Sequence, residues 1–339
     1  MLSYQRYRIT YGRWAPFGSP GHNAPVNTES PKLRCSTIAR ESEEPLYGTA
    51  PVSEAWILLE QPGAWGPDAL SESSIDPEVG AELTRLSKAH NFRILLIRRS
   101  AGRAPTSNQS CFLARSAQGE TWMERVELAG AVNLLDIDPG VLHSPTPPGL
   151  GEPAAHLWAV CTHGRRDPCC AEYGRRVIRI STETGDERFT HGLWESSHQG
   201  GHRFAANLAL FPHGLFYGQV EPHDARTVVE SYKDGRLILD GYRGRSAFDQ
   251  VTQAADYLVR RQDSFVGIDD LVLTGKMDLG DGRYDVTFDG PTGPLHIQLE
   301  VTEGPMRPES CNKPKLTPVR LYRQLEVEPD IAPIGFPTV

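Results

Sequence analysis

Two short segments of the sequence are rich in cysteine and histidine. The first reads V-C-T-H-G-R-R-D-P-C-C-A-E-Y-G from Val160 to Gly174, and the second reads W-E-S-S-H-Q-G-G-H-R-F-A from Trp194 to Ala205. Thiolates and imidazoles are soft or borderline metal ligands that suit zinc and iron–sulfur clusters. We therefore predict a metal centre built from both segments. The candidate ligands are Cys161, His163, Cys169, Cys170, His198 and His202.

The residues between these candidates restrict how they point. Asp167-Pro168 is typical of a helix start, with Asp as the N-cap and Pro in the first turn. Because consecutive helical residues point about 100° apart, at most one of Cys169 and Cys170 should face the metal. Gly200-Gly201 disfavours a helix between His198 and His202. It favours a loop that passes close to a bulky group.

Spacing alone leaves the identity of the metal open. The histidine spacing suits structural zinc, whose ligands often follow an H-x₃₋₅-H pattern. The separation of Cys161 and Cys170 is long for a zinc knuckle. A Rieske centre combines Cys and His ligands, but its second box contains a cysteine that the His198 segment lacks. Zinc and iron–sulfur both remain possible at this stage.

The elements around the two segments follow the order of a thioredoxin-like α/β domain. We predict a strand over 156–160, a loop over 161–168, a helix over 167–182, strands over 203–211 and 215–220, and a helix over 222–233. The cysteine loop would then join the carboxyl end of a strand to the amino end of a helix. Ligands commonly bind there in open α/β sheets, because oriented N–H groups are available.

The remaining sequence predicts further α/β structure on both sides. We expect a disordered arm over 1–30, an N-terminal α/β domain over 31–150, the thioredoxin-like domain with the metal centre over 151–235 and a small C-terminal α+β extension over 236–339. Strands are predicted over 55–60, 92–98, 111–115, 123–128, 284–288 and 295–301, helices over 76–90 and 248–261, and a Pro-rich tail at the end. The similar order of elements in the first two domains hints at a duplicated unit.

Composition excludes several classes of function. The formal net charge of -8 argues against a general nucleic-acid-binding protein, which needs a basic surface. No apolar run approaches the roughly 20 residues of a membrane span, and the start of the chain lacks the apolar core of a signal peptide. We expect a cytoplasmic protein. Its six cysteines are too sparse for a disulfide framework, and Cys35, Cys111 and Cys311 are too isolated to assign.

The two cysteine and histidine segments resemble the sucrase/ferredoxin-like family, whose members contain a thioredoxin-like [2Fe–2S] ferredoxin domain. The resemblance rests on C-T-H-G-x-R-D-x-C-C-A-x-x-G and W-x-S-S-H-x-G-G-H-R-F-A-x-N. It extends to residues 54–65, 214–218 and 307–311. In this family a C-x₈-C pair and an H-x₃-H pair ligate the cluster. The resemblance thus implies Cys161 and Cys170, rather than Cys169, together with His198 and His202.

The resemblance also implies a function and a partner. It suggests a one-electron carrier that exchanges electrons with a redox partner such as a reductase and turns over no substrate itself. Mixed Cys and His ligation would raise its potential above that of plant-type ferredoxins. Arg165, Arg166 and Arg203 could stabilise the reduced state, or they could simply be solvated or paired. A zinc-stabilised binding module and a thiol oxidoreductase using Cys169 or Cys170 are the alternatives.

Overall fold

The structure of the protein is a computed structural model that describes residues 34–100, 108–313 and 315–325. The predicted arm over 1–30 lies outside the described residues. The helices are α1 (Cys35–Glu41), α2 (Pro77–Ala89), α3 (Pro168–Glu183), α4 (Glu187–Thr190), α5 (Pro222–Lys233) and α6 (Gln250–Asp263). Short 3₁₀ turns occupy Ala131–Asp136, Pro139–His143 and His202–Phe204.

Fourteen strands form two sheets in the described part of the chain. The first nine are β1 (Ala55–Glu60), β2 (Arg93–Arg98), β3 (Gln109–Arg115), β4 (Trp122–Leu128), β5 (Glu152–Pro153), β6 (Leu157–Cys161), β7 (Leu193–Ser196), β8 (Leu208–Phe211) and β9 (Leu215–Tyr217). The others are β10 (Tyr242–Arg245), β11 (Val272–Gly280), β12 (Arg283–Gly290), β13 (Gly293–Pro308) and β14 (Leu316–Gln324). Mixed α/β structure, as predicted, is confirmed.

The larger sheet has the strand order β10-β9-β8-β6-β7-β2-β1-β3-β4-β5 among the described residues. Strands β1 and β2 are parallel and are joined through α2, while β3 and β4 continue the sheet in antiparallel fashion. Strands β6 and β7 are likewise parallel and are joined through α3, with β8 and β9 antiparallel beyond them. We call residues 55–128 the first repeat and residues 157–233 the second repeat. The similar order of elements that the sequence suggests is present in both repeats, while a duplication of the chain stays a prediction.

The two repeats meet where β2 pairs with β7 in antiparallel fashion. The joint is short, with Ile97 opposite Ser196 and Arg98 opposite Glu195. One sheet therefore crosses the predicted boundary at residue 150, and one hydrophobic cluster contains residues of both repeats, including Trp56 and Trp194. The predicted domain limits themselves stay a prediction.

The C-terminal part forms the predicted α+β extension. Strands β11 to β14 make an antiparallel meander that packs against α6 through Ala255, Val259, Phe288 and Leu299. The predicted Pro-rich tail after residue 301 is wrong for residues 302–308 and 316–324. These residues continue β13 and form β14, in which Val319 and Tyr322 are buried.

Two strand predictions of the second repeat are too long. The strand predicted over 203–211 begins only at Leu208, because His202–Phe204 form a 3₁₀ turn that follows Gly201 at a φ of 73°. The strand predicted over 215–220 ends at Tyr217, and Gln219 has a φ of 54°. The helix predicted over 222–233 is confirmed at both ends.

Candidate metal centre

Helix α3 begins directly beside the end of β6, and this brings two cysteines together. Asp167 caps the helix by accepting a hydrogen bond from the Cys169 N–H at 2.9 Å, and Pro168 occupies the first turn. One turn after Cys170, Gly174 lies against β6, where an added Cβ would approach the Cys161 carbonyl oxygen to 2.0 Å. Only glycine permits this close approach. The residue type at 174 therefore sets how near Cys170 comes to Cys161.

Cys161 and Cys170 are both buried, and their sulfurs lie within 4.8 Å of each other. The neighbouring Cys170 thiol lowers the pKa of Cys161, an effect to which N–H groups of His163 and Gln199 add. The same contact, together with burial, raises the pKa of Cys170. One sulfur is thus stabilised as a thiolate. Thiolate is the form that binds metals.

His198 and His202 stack on each other beside these thiols. Their ring centroids are 4.0 Å apart and their planes differ by 15°. Gly200 and Gly201, with φ values of 89° and 73°, form the predicted loop between them. Within the described residues, neither Nδ1 atom has a hydrogen-bond partner, although both are buried. Burial, reinforced by the nearby His202, lowers the pKa of His198 to about 2, so its imidazole is neutral and free to bind a metal.

The loop that carries His198 is held from both repeats. The His163 ring accepts the His198 N–H at Nδ1 (3.2 Å), while its Nε2 lies 2.6 Å from the Gly66 carbonyl oxygen in the first repeat. Trp65 packs edge-on against the same ring at 5.9 Å. Gln199 donates to the Ala159 carbonyl oxygen at 2.8 Å. His163, a candidate ligand in the sequence, thus lines and fixes the loop and is in neither group of potential metal ligands among the described residues.

A buried arginine from outside both cysteine and histidine segments completes the surroundings. The Arg243 guanidinium donates to Asn207 Oδ1 at 2.7 Å and to the Gly200 carbonyl oxygen at 3.1 Å. Burial, aided by Arg203, lowers the pKa of Arg243 to about 9, whereas Cys161 and Cys170 oppose that shift. Arg243 is therefore a cation close to the thiols. Sequence reasoning missed it, because a single arginine in strand β10 carries no spacing signal.

A polar cleft of about 440 Å³ opens beside the histidines. Its walls include His198, His202 and five cationic side chains, but only two acidic ones, Glu44 and Glu309. The cationic residues are Arg166, Arg203, Arg243, Lys313 and Arg320. Arg203 is paired with Glu44 at 2.6 Å. The cleft beside the histidines thus carries more positive than negative side chains, although the protein as a whole has a net negative charge.

The structure brings together three of the four predicted ligands directly. Potential ligand atoms of Cys161, Cys170 and His198 all lie within 4.8 Å of one another, and His202 stacks on the last of these. Cys169 instead belongs to a second group with Cys35, Cys311 and Asp167. The sequence predicts that at most one of Cys169 and Cys170 faces the metal, and the two cysteines do fall in separate groups. Both groups could hold a metal ion.

The sequence comparison agrees with this geometry. The profile of the sucrase/ferredoxin-like family matches residues 46–244, which is more than half of the chain and includes all four predicted ligands. The chain belongs to the sucrase/ferredoxin-like family. Within the described residues, no helix is both long and apolar enough to cross a membrane.

Curated relatives share a limited stretch with this family member. The protein named "Altered inheritance of mitochondria protein 32" from Meyerozyma guilliermondii is 34% identical over 95 residues, covering 26% of this chain and 34% of the relative. Its namesake from Saccharomyces cerevisiae is 32% identical over 108 residues, covering 28% and 34%. The chain thus spans about a third of the length of these relatives.

Solved structures show a similarly partial likeness. A cysteine-to-serine variant of the thioredoxin-like [2Fe–2S] ferredoxin from Aquifex aeolicus is 20% identical, with a TM-score of 0.21. The match covers 24% of this chain and 89% of that chain. A second such variant is 21% identical, with the same TM-score and coverage.

Proposed function

We propose that this protein is a one-electron carrier whose [2Fe–2S] cluster is held by Cys161, Cys170, His198 and His202. The observation that carries the proposal is the meeting of two thiols and a neutral imidazole within 4.8 Å, with a second imidazole stacked alongside. Both Nδ1 atoms are buried without a partner in the described part of the chain, as unbound ligands would be. The donor set therefore fits a cluster with two cysteine and two histidine ligands.

Family membership favours iron–sulfur over zinc for this donor set. The match to the sucrase/ferredoxin-like family covers the whole of both segments. Cys161 and Cys170 are also too far apart in sequence for a zinc knuckle, the kind of zinc site that takes both cysteines from one short segment. A bound cluster would supply one-electron transfer, the chemistry common to such centres.

The surrounding residues would set the properties of this carrier. Two imidazoles in place of thiolates leave less negative charge to stabilise, which raises the potential as in Rieske centres. The buried Arg243 cation acts in the same direction, because reduction adds negative charge beside it. Glycines at 200 and 201 let the chain pass around the histidines without a side chain in the way.

The cleft beside His198 and His202 is where a redox partner would approach. Five cations against two acidic residues line it in a chain of net charge -8. Such a basic mouth attracts an acidic protein surface and speeds the encounter at low salt. The partner is therefore expected to be a reductase or acceptor protein that presents carboxylates.

Anaerobic purification tests the cofactor and the ligands together. The protein should be red-brown, with two irons and two sulfides per chain and a spin-resonance signal on reduction. His198→Cys should keep the iron but lower the reduction potential and alter the visible spectrum, because a thiolate adds negative charge. His213→Cys is the matched control, since His213 is a half-buried histidine bonded to Tyr232 instead. A colourless protein with zinc at these four residues would refute the proposal, as would a His198→Cys spectrum and potential identical to the parent.

Small redox probes test the basic cleft without a known partner. The reduced protein should be oxidised faster by anionic ferricyanide than by a cationic cobalt(III) complex of matched driving force, and added salt should reduce this preference. Charge reversal at Lys313 and Arg320 should abolish it. Arg85→Glu, on the exposed face of α2, is the control and should leave it intact. An equal rate with both probes at low salt would exclude the cleft as the docking surface.

A further inference from the structure

Three cysteines that are remote in sequence meet at the start of α3. The Sγ atoms of Cys35 and Cys169 are 3.6 Å apart, those of Cys169 and Cys311 are 3.3 Å apart, and those of Cys311 and Cys35 are 3.5 Å apart. Cys35 begins α1, Cys169 lies in the first turn of α3, and Cys311 lies in the turn after β13. Three separate segments of the chain are therefore brought together at these sulfur contacts.

The near-equal distances favour a shared ion over a disulfide. A disulfide would draw two sulfurs to about 2.05 Å and leave the third cysteine outside the bond. Tetrahedral zinc, with Zn–S bonds of about 2.3 Å, holds its sulfurs about 3.8 Å apart. The three observed separations need to open by only a few tenths of an ångström to reach that arrangement.

Asp167 supplies a fourth potential ligand. Its carboxylate is fully buried, and its potential ligand atom lies within 4.8 Å of those of the three cysteines. Oδ2, at 4.0 Å from the Cys35 sulfur, also accepts hydrogen bonds from the Ser310 hydroxyl at 2.8 Å and the Cys311 N–H at 2.9 Å. Such bonds to a ligating carboxylate are typical of the groups that orient metal ligands.

Further groups around the cluster suit thiolates. The Cys35 N–H donates to the Cys311 sulfur at 3.3 Å. The Arg34 side chain also lies against this sulfur. Cys311 is partly exposed, whereas Cys35 and Cys169 are buried, so an ion has a route of entry.

We propose that Cys35, Cys169, Cys311 and Asp167 bind one Zn²⁺ ion. The three thiols release three protons to solvent as the ion binds, and the four ligands complete a tetrahedral structural site. The ion fastens α1 and the C-terminal turn to the first turn of α3. Because Cys169 and Cys170 are neighbours, it also fixes the element that carries one of the proposed cluster ligands. The proposal stands independently of the proposed function.

Metal analysis of the full chain tests this site. The parent should contain one zinc in addition to its iron, and Cys35→Ser and Cys311→Ser should each lose the zinc while the iron stays. The double variant of Cys161 and Cys170 to Ser should show the opposite pattern. Cys111→Ala is the matched control, since Cys111 is fully buried in β3 and belongs to neither cluster, and it should keep both metals. Loss of iron and loss of zinc are thus expected in different variants, so the proposed function and the zinc site can be refuted separately.

Cobalt substitution tests the proposed zinc site by absorption spectroscopy. Co²⁺ is added to the double variant in which Cys161 and Cys170 are changed to Ser, which should lack iron. A thiolate-to-cobalt absorption band should appear, and it should vanish when Cys35→Ser is added. If the double variant does not fold, competition between the parent protein and a chromogenic zinc chelator replaces this measurement. Zinc absent from the parent, or a disulfide between any two of the three cysteines under non-reducing mass spectrometry, would overturn the proposal.

Discussion

The two repeats share one order of strands, yet the segment after the first strand differs between them. In the second repeat the segment after β6 is short and leads to two cysteines in α3. In the first repeat the segment between β1 and α2 covers residues 61–76 and contains neither cysteine nor histidine. Both helices nevertheless begin with Asp-Pro, at Asp76 and Asp167.

Both repeats therefore share the same arrangement of strands and helix, but only the second repeat contributes candidate metal ligands. The common order of strands provides a helix start beside a strand end in both repeats, but only one of them places sulfur there. The first repeat contributes support instead. Its Gly66 carbonyl oxygen and Trp65 ring hold His163, which in turn holds the backbone of His198. Substitutions in the first repeat should therefore affect stability, while substitutions in the second repeat should also affect the metals.

The largest contrast is expected between the two aspartates that cap α2 and α3. Asp167→Ala leaves the Cys169 and Cys311 N–H groups and the Ser310 hydroxyl without an acceptor. At about 1–3 kcal/mol for each buried unpaired donor, it should cost about 3 kcal/mol or more and displace both metals. Asp76→Ala should cost about 1 kcal/mol and leave the metals in place. Urea denaturation and metal analysis measure both, and equal losses would contradict the distinction between the repeats.

A glycine-to-alanine pair tests the close approach of α3 to β6. Gly174→Ala would force a methyl group onto the Cys161 carbonyl oxygen, at a cost of about 1–3 kcal/mol and with weaker iron retention. Gly130→Ala is the control, because Gly130 has extended backbone and nothing within 4 Å of an added Cβ. The midpoints of urea unfolding and the iron content are the measurements. An alanine at 174 that leaves both unchanged would show that the helix can shift away without consequence.

Arg243 tests whether the buried cation tunes the second repeat. Arg243→Met should lower the reduction potential by about 60 mV, the equivalent of a tenfold change in a one-electron equilibrium. Arg243→Lys keeps the charge and should stay close to the parent potential, although it loses the forked hydrogen bonds to Asn207 and Gly200. Electrochemical titration of both variants decides the question. Equal potentials in the Met and Lys variants would remove the charge as the cause.

The smallest effect is expected at the contact between the repeats. His163→Ala removes the bonds to the His198 N–H and the Gly66 carbonyl oxygen, a loss of about 1 kcal/mol with a small change in the visible spectrum. His143→Ala removes an exposed bond to the His90 carbonyl oxygen and should change neither stability nor spectrum measurably. Thermal melts and absorption spectra compare the two. An unchanged spectrum in His163→Ala would mean that His198 is positioned without this support.

Local patterns in the sequence predict the elements of both repeats well. The strand over 55–60 and the helix over 222–233 are confirmed at both ends, because continuous apolar runs and Pro at a helix start act over a few residues. The paired cysteines and histidines are visible for the same reason. They lie in and just after one β6–α3–β7 unit, so their spacing in sequence reflects their spacing in the structure.

Features made by remote segments could not be predicted. Strand β7 has only four residues and is defined by β6 on one side and β2 on the other. Cys35 and Cys311 are 276 residues apart and meet only because α1 and the C-terminal turn pack at the same helix start. Arg243 reaches the thiols from β10 after a long excursion of the chain. In each case the residues that lie together in the structure are far apart in the sequence, so no local sequence pattern predicts their contact.

The antiparallel joint between β2 and β7 gives the repeat without ligands a protective role. Each of these strands would be an edge strand if its repeat stood alone, with unpaired N–H and C=O groups open to any other extended chain. In the observed sheet the carboxyl-terminal ends of the two strands cover each other, with Ile97 and Arg98 opposite Ser196 and Glu195, so these ends are not available for self-association. The first repeat therefore shields the end of strand β7, which leads directly into the His198 loop.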